Sequence, residues 1–487
     1  MDIKQEQCQI TLYEYLRLHA KENGKTTYFI TETSAWTYEQ VYETVNGLIR
    51  YFIGNGVKKG TVIALRATRS PQTVMLVTAL GAIGAQIALT DPHTSVQEFI
   101  NNSGVDIMPE YYITNERTSL NLSEREGWEI LYGDKREQIS FKKRISDLPE
   151  MPYGKAEDPF IIIFTSGSTG KAKAVVLSHR NCIANPVDAM PLFEENEKDR
   201  AISLLPLDHV FGFAVVACAT FCGHDVVFSE RLETEYVLSC IEKYKVSVIY
   251  AVPSFFLGLL NNGVHKKYNL SSLRLGLMAG APFTAEQLRY IENELVLQLM
   301  PGYGMSECVG VSTMYYGASV EDRATGVGKL YPMTEIKFTV EGEICVRGAT
   351  LMIGYYNDEH ATREVIDKDG WLHTGDLGYL DEKGFLHING RIKDIIIRNG
   401  NNLSAVEIEK KILSIPQVKD VCVVGIPNKK DGEAPCAMIV AEEQVDLTTV
   451  LTKIELPVKI KYVQSIPLTS SGKHDKQSLK RIFTEIE

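Results

Sequence analysis

The sequence predicts an α/β fold: a large, multi-layered N-terminal unit followed by a small α+β unit. Three observations carry this. Short apolar strands alternate with amphipathic helices between Thr37 and Met278. A glycine-punctuated, β-rich stretch begins at Glu341, with Gly342, Gly348, Gly370, Gly375, Gly378, Gly384 and Gly390. A charged, glycine-poor tail the size of a small domain then follows Gly390. At 487 residues the chain exceeds one ordinary core, which predicts two to four folding units.

The elements follow in order. Thr37 is a predicted N-cap for a helix over 38–53, whose Val41, Val45, Leu48, Ile49 and Phe52 share one face. After the turn at Gly56 and Lys58-Lys59-Gly60 comes a strand over 62–65, a helix containing 74–82, and a strand over 86–89. Apolar runs at 160–164, 201–205, 225–228, 246–251 and 273–278 predict buried strands. The tail carries a predicted helix over 405–413 and a strand over 420–425. There is no internal repeat and no low-complexity tract.

Composition sets limits on function. Hydrophobic residues make up 44% and charged residues 23%, ordinary for a soluble globular protein. A formal charge of -11 argues against a general nucleic-acid or anionic-membrane surface, which needs clustered Lys and Arg. It does not oppose binding ATP, because backbone N–H groups can hold phosphate. The first residues lack the apolar core of a signal peptide, and no run approaches the roughly 20 apolar residues of a membrane helix. Nine cysteines without a CxxC predict reduced thiols, a cytoplasmic setting and no structural zinc; Cys218 and Cys222 read as small packing residues.

The most informative stretch is a strand running into Thr165, Ser166, Gly167, Ser168, Thr169 and Gly170, then Lys171 and Lys173. Glycines let backbone N–H groups turn inward, hydroxyls add donors and lysines neutralise charge, which together can hold a polyphosphate. A bland Ser/Gly surface turn has the same composition. A Walker A loop is excluded, since it needs four residues between its glycines and this loop has two.

With the segments downstream, this loop resembles that of the acyl-adenylate-forming superfamily: acyl-CoA ligases, peptide-synthetase adenylation domains and luciferases. Ala172 and Ala174 stand where that family's loop has Pro and Gly. The segment from Leu205 to Gly212 resembles the family's LPxxHxxG, implying that His209 lies near the carboxylate pocket. Ala279 with Gly280, Ala281 and Pro282 resembles the adenine-side turn. Tyr303, Gly304, Ser306 and Glu307 resemble YGxTE, with Ser306 for Thr; the resemblance implies Tyr303 against adenine and Glu307 on Mg²⁺. A hard cation wants carboxylate oxygen, which suits that role. Trp371 to Gly378 implies Asp376 as acceptor for the ribose hydroxyls, a task for an ionised carboxylate. Arg391 falls near the ribose and Lys393 at the hinge, placing the junction between an adenylation domain, 1–391, and a mobile domain, 392–487. Gly400 opens the thiol-side loop. Pro467 to Lys473 resembles P-x-T-x-SGK, implying that Lys473 reaches the carboxylate and α-phosphate. Residues 435–467 look shorter than is usual in the family.

The resemblance implies ATP-dependent activation of a small-molecule carboxylic acid to acyl-AMP, then transfer to a thiol. The thiol is that of CoA or of the pantetheine of a separate acyl carrier protein; both present the same group. Apolar runs at 211–218 and 252–256 point to a fatty or other apolar acid. An amino acid would need an acidic partner for its ammonium, with Asp208 the one candidate. A non-enzymatic sensor is a third reading, opposed by the presence of Lys473, Glu307 and Asp376.

Overall fold

In the computed structural model, the described residues are 3–115, 128–132, 135–139, 154–166, 172–428, 430–468 and 474–485. The helix Tyr38–Gly54 starts as the sequence dictates. Thr37 accepts from the Gln40 N–H, and Gln40 Oε1 accepts from the Thr37 N–H at 2.9 Å, a reciprocal cap. The helix Pro71–Ile83 is apolar all round and buried from Thr73 to Ile83, as a helix enclosed by other elements must be.

Two large sheets and a small one build the N-terminal part. The eight-stranded sheet has Val62–Arg66, Gln86–Thr90 and Pro159–Ser166 side by side and parallel at its centre. The nine-stranded sheet places Arg200–Ser203 between Asp225–Phe228 and Val248–Ala251, all parallel. Leu275–Met278 and Gln298–Met305 continue it beyond Val248–Ala251. The chain therefore moves outward one way from Arg200–Ser203 and then crosses to its other side. Such a reversal opens a crevice at the carboxyl ends of the two neighbouring strands. A four-stranded antiparallel sheet follows, holding Thr334–Phe338, Glu343–Gly348, Leu372–Leu380 and Leu386–Arg391.

The C-terminal unit has its own sheet and its own buried clusters. One gathers residues such as Ile396, Ile408, Val423 and Ile439; the other gathers Cys422, Met438, Leu479 and Phe483. The last apolar residue packed in the preceding clusters is Ile388, so the cores part between Ile388 and Ile396. Between Ala441 and Lys459 this unit has only a 3-10 turn, Leu447–Thr449, and Lys459–Tyr462 pairs directly with the strand Gly432–Ala441.

Several boundaries differ from expectation for visible reasons. The strand predicted over 246–251 is Val248–Ala251, because the Val246 N–H instead closes the preceding helix on Ile241 O at 3.1 Å. The strand predicted over 201–205 ends at Ser203, before Pro206. The strand predicted over 420–425 runs from Val418 to Asn428, since its partner strand continues pairing down to Gly432. No helix among the described residues is long and apolar enough to cross a membrane. All nine cysteines are free.

Candidate active site

The Ser/Gly loop joins two antiparallel strands, Pro159–Ser166 and Ala172–Ser178, with Thr165 opposite Lys173. Thr165 Oγ1 donates to Lys173 O at 3.4 Å, closing the neck. Gly167, Ser168, Thr169 and Gly170 lie outside the described residues. Lys173 Nζ sits 4.6 Å from the centre of the Tyr355 ring, a favourable cation–π contact. The Tyr355 hydroxyl donates to Glu307 Oε1 at 2.9 Å. Burial first, then the Glu307 charge, pushes the Tyr355 phenol well up, so it remains a donor. One cation, one phenol and one carboxylate thus meet at the neck of the loop.

Tyr355 was not among the residues singled out from sequence. It arrives through the short strand Gly354–Tyr355, which pairs with Ala172–Ser178 so that Tyr355 faces Val175. The Gly-Tyr-Tyr-Asn run at 354–357 was the available signal, but its pairing partner lies far away in the chain.

Glu307 and Ser306 occupy the turn between Gln298–Met305 and Cys308–Thr313. That hairpin needs glycine at 304, where a Cβ would stand 2.9 Å from Val309 O. Its Tyr303 hydroxyl donates to Asp376 Oδ2 at 2.6 Å, and Arg391 Nε donates to the other oxygen, Oδ1, at 2.6 Å. Asp376 is 5% exposed. Burial works against the Arg391 charge, but Asp376 outweighs it and the net direction is up. Burial and then Asp376 push the Tyr303 phenol up as well. Neighbouring groups fix this carboxylate: the Asp376 N–H donates to Thr374 Oγ1, Thr374 Oγ1 donates to Ile344 O, and the Gly375 N–H donates to Glu343 Oε1. Glu343 also binds His373 Nδ1 at 2.9 Å. Sequence reading missed Glu343 and Thr374, whose value lies in what they hold.

His209 is the N-cap of the helix Val210–Cys222, and its carbonyl accepts from the Phe213 N–H at 3.0 Å. The helix packs so tightly on the preceding loop that a Cβ at Gly212 would lie 1.9 Å from Pro206 O, which explains that glycine. His209 and the 252–256 segment follow the two strands that flank the crevice, Arg200–Ser203 and Val248–Ala251. Gly280, Ala281 and Pro282 form an exposed turn after the next strand, Leu275–Met278, with Gly280 at φ +89. Lys393 lies in the 3-10 turn Ile392–Asp394, where burial and then Arg391 lower its pKa. Gly400 sits at φ +76 in the turn between Ile395–Arg398 and Asn401–Ser404. Lys473 lies outside the described residues. The structure therefore brings the loop neck, Glu307, Tyr303, Asp376 and Arg391 into two linked groups along one hairpin.

A buried carboxylate held by an aromatic hydroxyl and a guanidinium thus lies one hairpin away from the carboxylate, phenol and cation at the loop neck. The AMP-binding enzyme family model matches residues 16–356, and the AMP-binding enzyme C-terminal domain model matches residues 407–473. The chain belongs to the AMP-binding enzyme family, within the acyl-adenylate-forming superfamily. It is 30% identical to the "Probable CoA ligase CCL5" of Humulus lupulus, over 98% of this chain and 93% of that protein. It is 29% identical to the 2-succinylbenzoate–CoA ligase of Listeria monocytogenes serovar 1/2a, over 96% and 98%. The crystallised o-succinylbenzoate CoA synthetase of Bacillus subtilis, in complex with its acyl-adenylate intermediate, superposes with a TM-score of 0.80 at 26% identity, covering 96% and 97%.

Proposed function

We propose that this enzyme activates a carboxylic acid with ATP, releasing pyrophosphate, and passes the acyl group from acyl-AMP to the thiol of CoA. The observation that carries this reading is the meeting of Glu307, Tyr355 and Lys173 at the neck of the Ser/Gly loop, one hairpin away from the Tyr303–Asp376–Arg391 group. Relatives named as CoA ligases support the choice of acceptor.

In this reading the acid's carboxylate oxygen attacks the α-phosphorus and the bond to the leaving pyrophosphate breaks. Such chemistry needs positioning and charge stabilisation rather than covalent help. Residues 165–170 with Lys173 hold the phosphates. Gly280, Ala281 and Pro282 line the adenine side, with Tyr303, Gly304 and Ser306 opposite. Asp376, paired with Arg391, accepts from the ribose hydroxyls. The donor set suits Mg²⁺: Glu307 offers a carboxylate oxygen beside the phosphate loop, and the ion disperses charge on the polyphosphate when bound. Lys473 stabilises the developing charge between carboxylate and α-phosphate. The unit 392–487 then turns about Lys393 relative to 1–391 and brings Gly400 toward the acyl-AMP, where the thiol displaces AMP. Free cysteines suit a reducing, cytoplasmic setting.

The acid is proposed to be apolar, seated by His209, Phe211 and Val252 at the crevice. Asp208 argues against an amino acid. Burial pushes its carboxyl up to about 7, with its own backbone N–H opposing and Asp91 adding, so it offers an ammonium no full charge at neutrality.

The test is pyrophosphate release with ATP and Mg²⁺ over a panel of short, medium and long fatty acids, aryl acids and amino acids, with and without CoA. Release that depends on one apolar class and turns over faster with CoA is expected. A single equivalent unaffected by CoA moves the acceptor to a carrier protein. No release with any acid overturns the reading.

A further inference from the structure

The residues that flank position 473 are firmly tied. Leu468 and His474 form an antiparallel bridge, and the Asp475 N–H donates to Pro467 O at 2.9 Å. His474 Nε2 lies 3.0 Å from Asp420 Oδ2. Lys476 opens the helix Lys476–Glu485, and its ammonium donates to Asp394 Oδ2 at 2.8 Å. Asp394 directly follows Lys393. Both side chains are largely buried, Lys476 at 30% exposure and Asp394 at 16%. Burial disfavours the Lys476 charge, but Glu409 and Asp394 together outweigh it. On the other side of the hinge, Arg391 is tied to Asp376 at 2.6 Å. Two ion pairs thus bracket Ile392 and Lys393, one reaching back to the ribose group and one reaching forward to the helix after Lys473.

We propose that Asp394 and Lys476 are positioning residues of the adenylation half-reaction: they make the segment that carries Lys473 turn with the hinge as one body. This rests on the adenylation reading above. A lysine is a point charge on a flexible stem, so its delivery depends on the backbone that carries it. Misplacing a reacting group by about 1 Å costs on the order of 100-fold in rate. The thiol-transfer half-reaction, in which Lys473 has left, does not need the pair.

The two half-reactions can be read separately. ATP–pyrophosphate exchange reports adenylation, and thioester formation from CoA and synthetic acyl-AMP reports transfer; both use the acid that gives wild type the fastest pyrophosphate release. Lys476→Met and Asp394→Asn are expected to lose about 10- to 100-fold in exchange while transfer stays within about twofold. The melting midpoint holds in Asp394→Asn, whereas Lys476→Met also leaves the buried Glu409 without its cation and lowers the midpoint. The double variant should be no worse in exchange than the worse single one, because both remove the Asp394–Lys476 pair. Lys476→Arg should recover most of the exchange. Equal losses in both half-reactions would reduce the pair to structural support, and undiminished exchange would overturn the proposal. If wild type shows no exchange, or Lys473→Ala retains it, the adenylation reading itself falls instead.

Discussion

The Asp376 group and the Asp394 group use the same chemistry, a carboxylate gripped by a cation, on opposite plans. Asp376 is 5% exposed and is fixed by Tyr303, Arg391 and its own N–H on Thr374, all within the N-terminal sheets. Asp394 accepts from one lysine of the C-terminal helix, Lys476, whose charge Glu409 also favours. A many-partnered buried carboxylate is preorganised before any ligand arrives. Under the proposed function, the Asp376 group would form a fixed nucleotide wall and the Asp394–Lys476 pair would travel with the lysine carrier.

Five substitutions probe the site and its surroundings. Glu307→Gln should have the largest effect, roughly 100-fold or more in pyrophosphate release, because a neutral amide is a poor ligand for a hard cation. Release within about tenfold of wild type at saturating Mg²⁺ would remove Glu307 from that role. Asp376→Asn strikes the fixed wall, weakening the acceptor for Tyr303 and leaving Arg391 without its counter-charge. Since Arg391 is 40% exposed, the expected loss is discounted to about 2 kcal/mol in thermal unfolding. The same variant should raise the KM for ATP. Asp394→Asn should leave the melting midpoint in place, and equal destabilisation by both would erase the contrast drawn here.

Tyr355→Phe keeps the ring beneath Lys173 and removes only the bond to Glu307. About 1 kcal/mol, or roughly fivefold in kcat/KM, is expected, measured at limiting ATP. A pH effect of similar size comes from His179. His179 is buried against Phe160 with its ring centre 3.9 Å away, and burial lowers its pKa to about 4. A folded value below the unfolded one means stability is full above about 6.5 and is lost as pH falls toward 4. Between pH 6.5 and 5.5 this should cost the wild type roughly 1 kcal/mol. His179→Gln should flatten that slope in unfolding curves, and an unchanged slope would show that other groups set the acid response.

Much of this site was legible from order and residue type. Thr37 and Gln40 announced their helix through a local cap. Glu307, Asp376 and Arg391 each sat in a short run that resembles a motif of the acyl-adenylate-forming superfamily; the structure pairs Asp376 with Arg391 and with Tyr303, in the hairpin that carries Glu307. Tyr355 was not legible, because its role depends on pairing with a strand some 180 residues earlier in the chain. Glu343 was equally silent: it holds His373 and the Gly375 N–H across a sheet, and nothing in its neighbourhood distinguishes it from a solvated acid. The Asp394–Lys476 pair spans 82 positions and was invisible for the same reason.

The chain by itself determined the α/β class, the helix starts and the resemblance of the Ser/Gly loop to that of a nucleotide-activating family. These depend on periodicity, caps and contiguous motifs, which act over a few residues. Only the tertiary structure decided which strand neighbours which, and hence where the crevice opens between Arg200–Ser203 and Val248–Ala251. It also decided that Tyr355 would meet Glu307 and that Ile392 and Lys393 would sit between two ion pairs. Those choices follow from burying apolar surface across the whole chain, a collective quantity that no short segment contains.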